Sequence, residues 1–311
     1  MPTRRAVLLA AAGSVLAGAA GVGGAAGKMP ITVRRQKNRT GLPAKVPAVY
    51  HYTGSGTSPT LASIPYSGIR LVWVCFGIGL GSANGHLDFP TPANQSMSSL
   101  QADVATLKAA GVKVGLSVGG QNRNGLQITT STERAQFEAD FATLMSTWDW
   151  DGCDIDLEDN QVSWTSSVIQ TLWANLKASY GSTFINSCAP SGGIDAWATC
   201  AGGAGTNLDL YGQQFYDYVS TNDTTRKSEI KSRLDTLQGT FGLAPEQLMI
   251  GCKLYGTAGT VGSSTGCYAP AFSEQEAKSG WSGLRGAYVW NTDIEAAHSY
   301  DFINNVAPVV L

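Results

Sequence analysis

The segment Asp151-Gly152-Cys153-Asp154-Ile155-Asp156-Leu157-Glu158 alternates acidic and apolar residues with a period of two. A β-strand places alternate residues on one face, so Asp154, Asp156 and Glu158 stand side by side while Cys153, Ile155 and Leu157 turn the other way. Read as a helix, the same acids scatter around the cylinder. Ordinary strands are poor in Asp and Glu. Carboxyls about 6–7 Å apart on one face repel one another and raise at least one pKa. So costly a cluster belongs where chemistry happens, and the apolar face suits burial under helices. The bland alternatives are a solvated acidic edge strand and a Ca²⁺ loop.

Working outward, the chain from Val46 repeats a short β-rich run followed by a helical one. Strands are expected at Val46–Tyr52, Ile69–Phe76, Lys113–Val118, Gly152–Glu158, Thr183–Ala189, Leu208–Tyr216, Leu248–Tyr255 and Arg285–Trp290. Helical spacing marks Ser98–Ala110, Thr132–Trp148, Trp164–Tyr180, Thr225–Thr240 and Ser273–Ser279, with a last helix from Ile294 to Val306. The helices after the first and fifth strands are weakly signalled. Parallel neighbours need crossovers, so the pattern predicts an α/β protein, a single (β/α)8 TIM barrel. The connection from Gly256 to Leu284 leaves no room for an additional α+β insertion domain; taken with the family resemblance given below, this implies a shallow, open cleft. The runner-up is a doubly wound sheet. Gly77-Ile78-Gly79-Leu80-Gly81 has some look of a dinucleotide fingerprint, but Asn84-Gly85-His86 continues as a loop instead of opening a helix.

Active sites of such barrels lie at the C-terminal strand ends. Glu158 ends the fourth strand. The other ends supply Tyr52, Phe76, Ser117 with Gly119 and Gly120, Tyr216 with Asp217, and Trp290. Aromatic faces, the Gln214 amide and carboxyls converging on one mouth suit a sugar ring, which offers apolar CH faces and hydroxyls. Trp164 and Trp197, after the fourth and fifth strands, are as readily sugar platforms as packing. Trp148 and Trp150 precede the fourth strand and read as packing.

A formal net charge of −2 gives no reason to expect nucleic acid or an anionic membrane as partner. Thr3-Arg4-Arg5 precedes the mild apolar run Ala6–Ala20, too short for a bilayer span. This resembles a twin-arginine signal peptide, with Gly24-Ala25-Ala26 suited to cleavage. Residues 1–26 are thus expected to be a signal peptide, 27–45 a disordered basic linker (Arg34, Arg35, Lys37, Arg39 among its charges) and 46–311 a catalytic domain. The mature protein is expected to be secreted, monomeric and free of the membrane. Six cysteines in an exported chain suggest disulfides. The expected bridges are Cys188–Cys200 and Cys252–Cys267, with Cys75 and Cys153 as buried thiols. His51, His86 and His298 share no ligand spacing, so neither metal nor cofactor is expected.

The acidic segment resembles the Asp-Gly-x-Asp-x-Asp-x-Glu signature of the family 18 glycoside hydrolases, which include chitinases and endo-β-N-acetylglucosaminidases. Ser117-Val118-Gly119-Gly120 is similar to that family's third-strand motif, Gln214-Phe215-Tyr216-Asp217 to its sixth-strand motif, and Trp290 to the Trp ending its eighth strand. The resemblance implies hydrolysis assisted by the substrate's own 2-acetamido group. It implies Glu158 as general acid, Asp156 orienting the acetamido N–H, Asp154 sharing a proton with Asp156, and Tyr216 bonding the acetamido oxygen. Trp290 would floor the reacting subsite and Asp217 would bond near it. Asp151, Gln214, Ser117, Gly119, Gly120, Phe76 and Tyr50 complete the implied substrate-binding set. Chitin or N-acetylglucosamine oligosaccharides are the implied partners. Endo-acting chitinase is the first expectation and an N-glycan-core glycosidase the second, with a non-catalytic lectin or a metal-dependent barrel enzyme behind them.

Overall fold

The computed structural model describes residues 41–80, 84–121, 125–216, 223–253 and 283–311. Eight parallel strands close on themselves: β1 (Val46–Tyr52), β2 (Leu71–Gly79), β4 (Lys113–Gly120), β5 (Gly152–Leu157), β6 (Ile185–Cys188), β7 (Leu210–Gln214), β8 (Leu248–Lys253) and β9 (Gly286–Trp290). Pairing of β1 with both β2 and β9 shuts the barrel. The short β3 (Leu87–Asp88) joins β2 antiparallel, outside the ring. The outer helices are α1 (Met97–Ala109), α2 (Ser131–Trp148), α3 (Ser166–Tyr180), α4 (Asp195–Ala204), α5 (Asp223–Gly239) and α6 (Thr292–Ala297). The expected helix Ser273–Ser279 and the end of the seventh strand at Tyr255 lie outside the described residues.

Strand periodicity divides the core into two apolar layers. Cys153, Ile155 and Leu157 of β5 join Val72, Val74, Val114 and Leu116 in the layer beneath the helices. Tyr50, Leu71, Trp73, Met249 and Tyr288 fill the lumen. Trp73 fits because Gly115 faces it on the neighbouring strand; a Cβ there would run into the indole ring. The barrel is therefore a packed core closed below its mouth.

Helix starts follow capping chemistry. Thr130 caps α2, accepting from Glu133 N at 3.2 Å, while Glu133 Oε2 accepts from Thr130 N at 2.9 Å and Thr129 N at 2.7 Å. Partial burial acts to raise the Glu133 pKa, but these hydrogen bonds outweigh it and hold the carboxyl below its usual value. The stability it contributes is therefore present above the ordinary Glu pKa and lost as pH falls through the lowered one. Glu133→Ala is expected to cost about 1–2 kcal/mol. A thermal melt should fall by about 2–8 °C.

The chain's end departs from expectation. Where the sequence predicts one helix from Ile294 to Val306, α6 stops at Ala297 and a π-helical turn, Phe302–Val306, follows. Ser299 and Tyr300 take left-handed conformations, φ 57° and 59°, which break the ladder. Glu295 then accepts from Phe302 N and Ile303 N, each at 3.1 Å, and so caps the second piece with its side chain. After β6, where helical signal is weak, α4 is a full ten-residue helix.

The expected Cys188–Cys200 bridge does not form; both residues are buried thiols. Cys200 sits in α4 and not in a loop, its Sγ donating to Ser166 O at 3.6 Å. Burial pushes the Cys200 thiol up to about 12. Cys75 and Cys153 are buried thiols on strands, as expected. The expected Cys252–Cys267 bridge lies outside the described residues, because Cys267 does.

His51 on β1 is fully buried, its Nδ1 3.0 Å from Thr292 Oγ1 and its Nε2 without a partner among the described residues. Burial lowers its pKa to about 4. A lowered His pKa means stability that is whole above about 6.5 and lost as pH falls through the folded value. The stability difference between wild type and His51→Gln is expected to shrink by about 3 kcal/mol between pH 7 and pH 4 in urea titrations.

Candidate active site

β5 delivers the acids in order of depth. Asp154 is wholly buried, Asp156 is 3% exposed, and Glu158, one residue past the strand, is half-buried at the mouth. Asp154 Oδ2 accepts from Ser117 Oγ at 2.7 Å and Tyr50 OH at 3.0 Å, while its Oδ1 has no partner among the described residues. Gln214 Nε2 donates to Asp156 Oδ1 and to Glu158 Oε1, both at 3.3 Å, and is anchored by Ala189 O at 2.9 Å. One amide thus holds the upper two carboxyls in register.

Burial raises the pKa of both lower acids. For Asp154 the hydrogen bonds from Ser117, Ser187 and Tyr50 act against it. Asp156 is raised well above the ordinary value by burial, then by the charges of Glu158 and Asp154, with Gln214 acting against. Stacked carboxyls in a low-dielectric barrel cannot all ionise freely, so at least one proton is retained in the column.

Beside the acids stands an aromatic wall. The rings of Phe76 and Trp290 stack at 5.5 Å and 27°, and Tyr52 lies 6.2 Å from each. The Cys75–Phe76 and Trp290–Asn291 peptide bonds are cis. Wall and acids line a cavity of about 330 Å³ together with Tyr216 and Gln214. Gly119 and Gly120 at the end of β4 have φ of 101° and 82°, and a Cβ on Gly119 would stand 2.7 Å from Asp156 O. Only glycine lets β4 pass so close to the acid strand.

Several expected substrate contacts take other places. Tyr50 and Ser117 are buried beneath the cavity and do not line it; both donate to Asp154, and the Tyr50 ring also packs 5.9 Å from Trp290. Asp151 sits at the opposite end of β5, accepting from Val114 N at 3.1 Å with Lys113 Nζ at 3.4 Å. Its side chain ties two strands at the barrel floor. Trp164 and Trp197 are buried and stacked on each other at 3.9 Å, offering no open face. Trp148 and Trp150 stack at 4.9 Å, packed as expected. Asp217 lies outside the described residues.

Two cavity residues escaped the sequence reading, Gln121 and Lys253. Lys253 is the register partner of Trp290, and its Nζ stands 5.6 Å above the Tyr216 ring. The strand-end rule applied to β8 points to it; the expected strand runs on to Tyr255 and so passes over it.

The described residues thus form a closed parallel (β/α)8 barrel with a column of carboxyls and an aromatic wall at its mouth. The model of the glycosyl hydrolases family 18 matches residues 48–306, and the chain belongs to that family. Among curated relatives, chitinase Chi52 of Paenibacillus xylanexedens is 33% identical over 131 residues, covering 38% of this chain and 24% of the relative. Chitinase D of Niallia circulans is 31% identical over 132 residues, 38% of this chain and 25% of the relative. The matched stretch thus spans about a quarter of either protein. Among solved structures, a family GH18 chitinase from Chromobacterium violaceum has TM-score 0.71 at 20% identity, covering 87% of this chain and 85% of that one. The catalytic domain of a family GH18 chitinase from the fern Peteris ryukyuensis has TM-score 0.64 at 25% identity, covering 85% and 99%.

Proposed function

We propose that the chain is an endo-acting chitinase that cleaves β-1,4-linked N-acetylglucosamine with retention, using the substrate's acetamido group as nucleophile. The observation that carries this reading is the Gln214 amide bridging Asp156 and Glu158 inside a cavity walled by Trp290. It supplies a proton donor at the mouth, a second acid beneath it and an apolar platform for the ring. Glu158 gives its proton to the glycosidic oxygen as the bond to C1 breaks. The acetamido oxygen closes on C1 to form an oxazolinium ion, its N–H held by Asp156 and its oxygen by Tyr216. Glu158, now a carboxylate, takes a proton from the water that opens the ring, and the retained anomer leaves. Asp154 shares a proton with Asp156 from below and is itself fixed by Tyr50 and Ser117.

The connection between β8 and β9, with no room for an added α+β domain, supports an open cleft and hence internal cleavage. The leader-like residues 1–26 support secretion. Buried thiols at Cys75, Cys153, Cys188 and Cys200 suit a chain that folds before export by a twin-arginine route. We read the mature protein as a monomer.

The test pits two substrates against each other: N-acetylglucosamine hexamer and a denatured high-mannose glycoprotein. Cleavage of the hexamer at internal linkages, with the glycoprotein left intact, is the expected result. Release of glycans with the hexamer untouched would move the assignment to an N-glycan-core glycosidase.

A further inference from the structure

Glu158 stands just past the last residue of β5, so its position is set by the main chain on either side. Both flanking carbonyls accept a hydrogen bond from a buried indole. Trp197 Nε1 donates to Leu157 O at 2.8 Å, and Trp164 Nε1 donates to Asp159 O at 3.1 Å. The two rings stack at 3.9 Å and 26°, each no more than 1% exposed, and neither lines the cavity.

Each indole is fixed from elsewhere in the fold. Trp197 belongs to α4. Trp164 is tied to the loop after β4, where Ile128 N donates to Ser163 O at 2.7 Å and Thr165 N to Ile128 O at 3.2 Å. Asp159 closes the intervening turn, its Oδ1 accepting from Val162 N at 2.9 Å and Ser163 N at 3.2 Å. The main chain around the acid is thus gripped by the helix after one strand and the loop after another.

We infer that the stacked Trp164–Trp197 pair is a positioning element for Glu158, acting through the carbonyls of Leu157 and Asp159. This rests on the reading of Glu158 as the general acid. Proton transfer needs the donor within hydrogen-bond reach of the leaving oxygen, and a misplacement of about 1 Å can cost about 10²-fold in rate. A buried carbonyl stripped of its donor shifts toward another partner, and Glu158 shifts with it.

Trp197→Phe keeps a ring in the stack and removes the N–H. It is expected to lower kcat about tenfold while KM stays within about twofold, because the cavity walls are untouched. Trp173 provides the control. It is fully buried, lies 6.3 Å from the Trp197 ring, and its Nε1 has no partner among the described residues. Trp173→Phe makes the same truncation in the same cluster without loosening the chain at Glu158, so it should lower the melting temperature but leave kcat intact. Should Trp197→Phe fail to fold, benzothienylalanine at position 197 preserves the ring volume without the N–H, and the same fall in kcat is expected. Wild-type kcat in Trp197→Phe or in the benzothienylalanine protein overturns the inference, as do equal losses in Trp197→Phe and Trp173→Phe. Full turnover by Glu158→Gln would instead overturn the assignment of the acid, a separate failure.

Discussion

Glu158→Gln is expected to lower kcat on N-acetylglucosamine oligomers by at least about 10²-fold, the low end of what a general acid contributes. The substitution keeps the side chain's size and the Oε1 acceptor that Gln214 uses at 3.3 Å. What it removes is the proton for the leaving oxygen. Trp290, Phe76 and Tyr52, the apolar wall of the cavity, are untouched. Ground-state binding should therefore hold, with KM within a few-fold of wild type and the loss confined to kcat. Half-buried Glu158 lies outside the packed layers, so the melting curve should not move by more than a degree or two. Steady-state kinetics on the tetramer to hexamer, beside a thermal melt, checks all three; near-normal turnover would remove Glu158 from the acid's role.

The second large effect is expected at Asp156. Asp156→Asn preserves the acceptor for Gln214 Nε2 but removes the carboxyl that the proposed reaction ionises in the middle of the column. Its charge then faces the cationic oxazolinium ion in a water-poor cavity, where a fixed charge is worth far more than in bulk solvent. A fall in kcat of about 10²–10³-fold is expected, the range for deleting one preorganised electrostatic partner. The variant also takes a like-charged neighbour from Glu158, so the alkaline limb of the pH–rate profile should move to lower pH. The two readouts separate an electrostatic role from a structural one. Loss of rate with an unmoved profile would indicate that the substituted amide had merely disturbed the packing around Asp154.

The barrel was legible in the sequence because each strand carries its own periodicity and β5 carries two at once, acids on one face and Cys153, Ile155 and Leu157 on the other. What periodicity does not encode is depth along a strand. Tyr50 and Tyr52 share a face, yet Tyr52 lines the cavity while Tyr50 lies beneath it against Asp154. Asp151 adjoins the acids in sequence, but a strand puts its two ends on opposite sides of the barrel. Trp164 and Trp197 sit near the right strand ends, but their stacking on each other is a tertiary contact between two separate crossovers. The Cys188–Cys200 pairing failed for a related reason: α4 is short and Ala- and Gly-rich, a composition that reads as loop until the layer beneath it is seen. The break at Ser299 and Tyr300 depends on Glu295 reaching forward to cap the next turn, and no local signal announces that.

The most direct test of retention through the acetamido group is the anomeric form of the first product. NMR spectra recorded in the opening minutes of hexamer digestion, before mutarotation, should show the β-anomer ahead of the α-anomer. Prompt release of the α-anomer would contradict the account, because inversion requires water to attack C1 directly and leaves the acetamido group no part in the reaction.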